Sequence, residues 1–471
     1  MDAALESKID AYINEVWDDV LSDIAALVSH PSVADASQAA PGAPFGASTR
    51  SALDCALDIA ERLGYQTGDD EGYVGFADIP GERAEQIATI AHVDVVPAGT
   101  GWNTDPFTME RRDGWLLGRG VIDDKGPAVL SLYAGAFLLH EGITPRYTFR
   151  ALLGCDEECG MTDVHHYLAT HENPAFLFTP DAEFPLCNAE KGCYGATFMS
   201  APIKDGRIIS WSGAEVTNAI PGESVLELAI DASELPAPRA HAERIAIEAV
   251  RPGVSRISAT GIGGHASLPE GTLNAIGLVV DYLREAEVLE GEEARFLELL
   301  ACVHADTAGE ALGIASESPA FGVLTVNGGT IRLHEGRLEQ TIDVRYPDST
   351  TTEKMEQTLS ALAARFGATV ETSRSKVPFS VDATHPAVQT LLDVYRDVTG
   401  EQDAQPFSMG GGTYARNFAT AVSFGPEGGE GEKPSWVGPM HGANEGANEA
   451  LLKRALKIYI SAIMHLMELD L

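Results

Sequence analysis

The chain has 471 residues, 44% of them hydrophobic and 22% charged, so at roughly 150 residues per domain it holds two or three domains and can bury a core without disulfides or a structural metal. Lys plus Arg number 32 against 70 Asp plus Glu, a formal charge of −38, and that deficit of cations makes nucleic acid and anionic membranes poor partners. The balance suits a soluble cytoplasmic protein with an acidic cleft for cations.

The first thirty residues alternate acids with apolar side chains at helical spacing and lack the basic start, apolar region and cleavage site of a signal peptide, so they predict an amphipathic helix. No stretch reaches the roughly 18 uncharged apolar residues of a membrane helix, since even 276–283 is interrupted by Asp281. A helix over 51–63, an apolar run over 87–91, a helix over 128–140 and runs over 147–153 and 175–179 then alternate, which predicts an α/β layer on a largely parallel sheet. Between 188 and 382 the texture changes. Period-2 segments over 254–260, 322–326 and 338–344 mix with helices such as 352–366, the pattern of a separate α+β domain. The first texture returns with a helix over 386–398, a run over 421–424 and a C-terminal helix over 447–467, while the Gly-rich 426–434 reads as a flexible loop. The expected fold is therefore α/β: a split domain of residues 1–187 and 383–471, its largely parallel sheet flanked by helices, with residues 188–382 inserted as an α+β domain.

Six cysteines, Cys55, Cys155, Cys159, Cys187, Cys193 and Cys302, are spread through the chain, so reduced thiols are expected. Cys155 and Cys159 have no companion pair at zinc-finger spacing and read as buried small hydrophobes.

Polar residues gather where the apolar runs end. His92 and Asp94 follow the run over 87–91, two positions apart and on one face of a strand, so that one could ligate a metal while the other orients it. Asp123 and Asp124 stand between a Gly-rich turn and a helix start near Lys125, where a carboxylate also serves as a cap. The run over 147–153 leads into Asp156, Glu157 and Glu158, acids that repel one another unless something positive lies among them. The next run delivers Asp181 and Glu183, and His441 precedes the last helix. Each residue alone also fits a loop, cap or surface role. Together, His92, Asp123, Glu158, Asp181 and His441 all fall where open α/β sheets place ligands, and two histidines with three carboxylates form the donor set of two bridged divalent ions. Such a pair, roughly 3.5–4 Å apart, acidifies a water and polarises a carbonyl, and a spare carboxylate such as Glu157 takes the proton. H-E-x-x-H, G-x-S-x-G, a P-loop Gly-Lys and G-x-G-x-x-G are all missing, which removes support for zincin, serine hydrolase, NTPase and Rossmann readings.

Over essentially its whole length the chain resembles the M20 metallopeptidase family, and within it the bacterial PepV-type dipeptidases. The resemblance is carried by HPSV (30–33), HVDVVP (92–97), GRGVIDDKGP (118–127), DEECG (156–160), TPDAEFP (179–185), GIGGHAS (261–267), DVRYP (343–347), GGGTYAR (410–416) and PMHGANE (439–445). It implies His92 and Asp181 on one ion, Glu158 and His441 on the other, Asp123 bridging them, Asp94 orienting His92, and Glu157 as general base. The split domain would be catalytic and the inserted one a lid, giving His265 as oxyanion donor, Arg345 as holder of the substrate carboxylate, and Asn218 as a further substrate contact. Gly411 and Gly412 offer bare amides to an anion, in the manner of a backbone nest, or form a plain tight turn. The residues following His441 vary from the family pattern.

The expected activity is that of a cytoplasmic dinuclear dipeptidase acting on free dipeptides, with two divalent ions, zinc by default and manganese or cobalt as substitutes. The alternatives are an N-acyl-amino-acid deacylase, a peptidase preferring β-Ala or D-residues, and a catalytically silent binding protein. Small peptides are the expected partners and a monomer the expected state, because extra lid length often replaces a dimer contact in relatives.

Overall fold

The computed structural model describes residues 3–428 and 433–471. The chain forms two compact units, Met1–Asn188 with Ser380–Phe407 and Gly412–Leu471, and Ala189–Phe379 with Ser408–Gly411.

The first unit is built on a mixed sheet whose order begins Gln66–Asp70, Val74–Ile79, Tyr147–Gly154, Arg83–His92, Phe176–Thr179 and Ala421–Ser423. The last four of these are mutually parallel, and the first two are antiparallel additions at one edge. The parallel strands are apolar because both of their faces are covered. Helix Lys125–His140 is buried at every residue from Lys125 to Leu138, packed between the sheet and the helices Ala3–Val28 and Glu449–Leu466, so its sequence is apolar all round rather than striped. Glu449–Leu466 starts cleanly because the Asn448 side chain accepts from the amides of Ala450 and Leu451.

In the second unit one four-stranded antiparallel sheet runs Thr325–His334, Arg337–Tyr346, Gly192–Met199 and Thr369–Lys376, and a second runs Ile208–Ser212, Glu223–Leu228, Val254–Thr260 and Ile245–Arg251. Helices Ala275–Ala286, Gly291–His304 and Thr352–Arg365 share one core with these sheets through Phe198, Leu226, Ile257, Val279, Leu300, Ile342 and Leu359.

Predicted helices lie within a few residues of the observed Ala47–Arg62, Thr352–Arg365 and Pro386–Thr399. The strand expected over 322–326 is instead two pieces, Gly322–Val323 and Thr325–His334, broken at Leu324, whose buried side chain joins the core. Cys155 is buried as expected but Cys159 is exposed, because the chain has by then turned outward past the strand end. Of the loop expected over 426–434, residues 429–432 lie outside the described residues. No described helix is long and apolar enough to cross a membrane.

His304 supplies a pH-dependent element in the second unit. Burial lowers its pKa from 6.5 to about 4, so between these values the unfolded chain binds the extra proton. The stabilisation from keeping this ring neutral is complete above pH 6.5 and is lost as pH falls toward 4. Urea unfolding at pH 7 and pH 4.5 is expected to show the wild type losing about 2 kcal/mol more than His304→Gln over that interval.

Candidate metal centre

Parallel strands all point their carboxyl ends to the same edge, and that edge carries the acids. Arg83–His92 ends on His92, Tyr147–Gly154 leads to Asp156–Glu158, and Phe176–Thr179 leads to Asp181. The turn before helix Lys125–His140 brings Asp123, and the loop before the final helix brings His441, whose backbone is left-handed at φ 61°. Two triads result, His92 with Asp123 and Asp181, and Asp123 with Glu158 and His441, and within each the donor atoms lie within 4.8 Å of one another. Asp123 belongs to both. Its Oδ1 is 3.0 Å from His92 Nε2 and its Oδ2 2.8 Å from His441 Nε2, while His441 Nε2 is 3.1 Å from Glu158 Oε1. The structure therefore gathers all five predicted ligands. Imidazoles and carboxylates are the donors that zinc, manganese and cobalt accept, so the residues fit a pair of divalent ions.

The electrostatics carry the same message. Burial alone would raise the Asp123 pKa, but hydrogen bonds to His441 and His92 hold it below the usual carboxylate range. Hydrogen bonds to Asp123 and Glu158 push His441 up to about 10. Burial lifts Asp181 to about 6, and it lifts Glu157 well above its ordinary value, with Asp181 adding to the effect. A cation among these groups would relieve the same repulsion.

Asp94 contacts the His92 ring through both its backbone and its side chain. His92 Nδ1 lies 2.9 Å from the Asp94 carbonyl oxygen and 3.4 Å from its carboxylate, so the backbone provides the closer contact to the ring. The carboxylate accepts the amides of Glu157 (3.3 Å) and Glu158 (3.2 Å) and so anchors the turn that carries the general-base candidate. Among its electrostatic neighbours the Glu157 carboxyl counts Asp181, His92 and Glu158, all of them candidate ligands.

Residues without an assigned role in the sequence hold these loops. Glu445 and Arg119 form a fully buried ion pair. The same carboxylate accepts the Gly120 amide at 2.9 Å, and Arg119 reaches the carbonyls of Pro97 and Ala98, so the loops of His92, Asp123 and His441 are tied at one point. Asp163 accepts the amides of Cys155 (2.6 Å) and Asp156 (3.0 Å) and the Tyr414 hydroxyl, and thereby fixes the turn leading to Glu157. Gly154 is required at that strand end, since a Cβ there would lie 2.1 Å from the Tyr414 hydroxyl. Glu427 hydrogen-bonds Asp181 from the Gly-rich loop. Glu445 and Tyr414 stand inside quoted motifs, which was their only signal.

The second unit gathers Asn218, His265, Arg345 and Gly411. Strand Ala219–Ile220 pairs with Gly264–His265, and the Asn218 carbonyl accepts the Ala266 amide at 2.9 Å. His265 is exposed; its Nδ1 accepts the Ser267 amide at 3.3 Å and faces the Ser267 hydroxyl at 2.6 Å, so the neutral ring carries its proton on Nε2. Arg345 is buried, with Nε and Nη2 on Asp343 and Nη1 on the Gly410 carbonyl. Gly410, Gly411 and Gly412 do not adopt the left-handed backbone that a nest requires, and Gly412 belongs to the first unit.

The family model described as Peptidase family M20/M25/M40 matches residues 88–465. The protein named "Putative dipeptidase YtjP" of Bacillus subtilis (strain 168) is 33% identical over 423 residues, covering 87% of this chain and 90% of its own. Among solved structures, the dipeptidase Dug1p from Saccharomyces cerevisiae superposes with a TM-score of 0.59 at 11% identity, covering 99% of each chain. The Bacillus subtilis YXEP protein, described as a dinuclear metal binding peptidase, superposes with a TM-score of 0.51 at 12% identity, covering 98% of this chain and 99% of its own. At these identities the two structures show a shared fold.

Removing one partner of the Arg119–Glu445 pair leaves the other charge buried. Glu445→Ala is expected to lower the unfolding free energy by about 3–5 kcal/mol, read from urea unfolding, because it leaves the Arg119 charge and the Gly120 amide without their carboxylate. Equal stability of Glu445→Ala and wild type would disprove the tie.

Proposed function

The chain belongs to Peptidase family M20/M25/M40 and is a metallopeptidase, and from that premise we propose that it is a dipeptidase cleaving the single peptide bond of free dipeptides. The observation that carries this reading is the pair of donor triads meeting at Asp123 with the Glu157 carboxyl beside them. His92 and Asp181 would hold one divalent ion, Glu158 and His441 the other, and Asp123 both. Two such ions would supply Lewis acidity, polarising the scissile carbonyl and lowering the pKa of the attacking water. Zinc is the proposed metal, with manganese or cobalt able to replace it.

Glu157 takes the proton of the attacking water and returns it to the leaving amine. Burial raises its proton affinity, which makes it a stronger base than an ordinary carboxylate. Asp94 keeps Glu157 in place through its backbone amide and orients His92 through its own carbonyl. His265, with its proton on Nε2, donates to the oxyanion as it forms. Asn218 and Arg345 act from the second unit, which we assign as a lid, and Arg345 contributes to binding of the substrate carboxylate. The substrate is a small peptide met in the cytoplasm.

Metal-stripped protein is expected to be inactive on free dipeptides and to recover with Zn²⁺ or Mn²⁺, while leaving a tripeptide and an N-acetyl amino acid uncleaved. Cleavage confined to the acetylated substrate would move the assignment to a deacylase. Glu157→Gln is expected to lower kcat by about 10²–10⁴-fold with bound metal unchanged by elemental analysis. Undiminished turnover by Glu157→Gln would remove Glu157 from the mechanism.

A further inference from the structure

Four of the five candidate ligands end a strand, follow one closely or precede a helix, whereas His441 lies in irregular backbone ahead of the short strand Gly446–Asn448. The His441 side chain is 52% exposed, against 0, 6 and 8% for His92, Asp123 and Glu158. An imidazole on an exposed loop has freedom to lose when it coordinates an ion. The affinity of the ion it shares with Asp123 and Glu158 therefore depends on what holds that loop.

The loop first closes on itself. The Gly438 amide donates to the Asn444 carbonyl at 2.6 Å, Gly438 bridges to Glu445, and the Gly442 amide donates to the Pro439 carbonyl at 3.1 Å. A Cβ at Gly438 would lie 1.9 Å from the Ala443 carbonyl oxygen, so the two ends meet only because residue 438 is glycine. His441 and Asn444 both take left-handed backbone, at φ 61° and 57°, a conformation that asparagine tolerates better than most side chains. Asn444 then ties the closed loop to its neighbour. Its Oδ1 accepts the Asn103 amide at 2.8 Å and its Nδ2 donates to the Gly101 carbonyl at 3.5 Å. The segment it holds is itself fixed, because Trp102 Nε1 donates to the Ala98 carbonyl at 2.6 Å and Arg119 donates to the carbonyls of Pro97 and Ala98 from its buried pair with Glu445.

We propose that Asn444 is a positioning residue of the metal centre: by holding the 101–103 segment it presents His441 Nε2 to Asp123 and Glu158 and so sets the affinity for the ion that these three residues share. The inference rests on the two-ion reading above and deepens it. A donor that is already oriented loses less freedom on coordination, and loss of such outer support ordinarily weakens metal binding by about 10–100-fold.

The test titrates metal-stripped protein with Zn²⁺ against a competing chelator and resolves the binding steps of wild type, Asn444→Gly, Asn444→Asp, His441→Ala and the double variant of His441→Ala with Asn444→Gly. Glycine removes both side-chain bonds yet leaves the left-handed backbone open, and aspartate keeps the acceptor for the Asn103 amide. Asn444→Gly is expected to weaken one ion by about tenfold or more and to leave the other within about threefold, and Asn444→Asp to bring the weakened step back to within about threefold of wild type. His441→Ala should remove that same step. In its background Asn444→Gly should change the remaining ion by less than about threefold, because Asn444 acts through the imidazole. Asn444→Ala takes the place of Asn444→Gly if the latter does not fold. Equal weakening of both ions, weakening of neither, or an aspartate variant as weak as the glycine one overturns this assignment alone. Wild-type protein that binds fewer than two ions overturns the two-ion reading and this assignment with it.

Discussion

The first unit has to tolerate Asp94, Asp123, Asp124, Glu157, Glu158 and Asp181 around one small volume at the carboxyl edge of its sheet. Carboxylates in a dry site repel one another and lose their hydration, and both effects favour protonation. Burial raises Asp124, Glu157 and Asp181, while Asp123 stays low only through its two imidazoles. The basic residues nearby are committed elsewhere, Arg119 to Glu445 and Lys125 Nζ to the His30 carbonyl at 2.6 Å. A site that concentrates negative charge and then withholds its own cations is suited to cations from solution.

Such a site is only as good as the loops that present it, because donor atoms misplaced by a fraction of an ångström forfeit coordination geometry. Strand ends fix His92, and the turns beyond them need support from behind. Glu445 and Asp163 give it by accepting several backbone amides each, Asp163 with the Tyr414 hydroxyl as its extra partner and Glu445 with Arg119. Burial raises both carboxyls to about 7, which is the penalty of placing an acid where backbone amides must be held. His441 stands apart, exposed and left-handed on a loop whose Asn444 side chain accepts the Asn103 amide at 2.8 Å.

How much of this was legible in the sequence follows from the range of the interactions. The five candidate ligands were legible because each ends an apolar run or precedes a helix, a local pattern that topology converts into a shared edge. Helix Lys125–His140 and the parallel strands were legible for the same reason. The edge strand Gln66–Asp70 was not, since QTGDD has no apolar periodicity and is a strand only through its partner Val74–Ile79. Glu445 pairs with a residue 326 positions away and Tyr414 with one 251 positions away, and neither link leaves a local trace. Arg345 was identified as a cation, but its commitment to Asp343 and Gly410 depends on sheet register and on a distant loop.

The two units thus manage opposite charges by the same device, a buried ion whose partners restrain it so that a neighbour can act. In the first unit Asp163 and Glu445 hold amides so that Glu157, Glu158 and His441 can face the ligand volume. In the second, Asp343 restrains Arg345 and leaves Arg374 extended from an edge strand. A formal charge of −38 disfavours anions over the chain as a whole, and the cluster of Asp343, Arg345 and Arg374 is a place where guanidiniums outnumber the carboxylate between them. Local inversion of the field, rather than overall charge, therefore decides where the second unit can attract an anion.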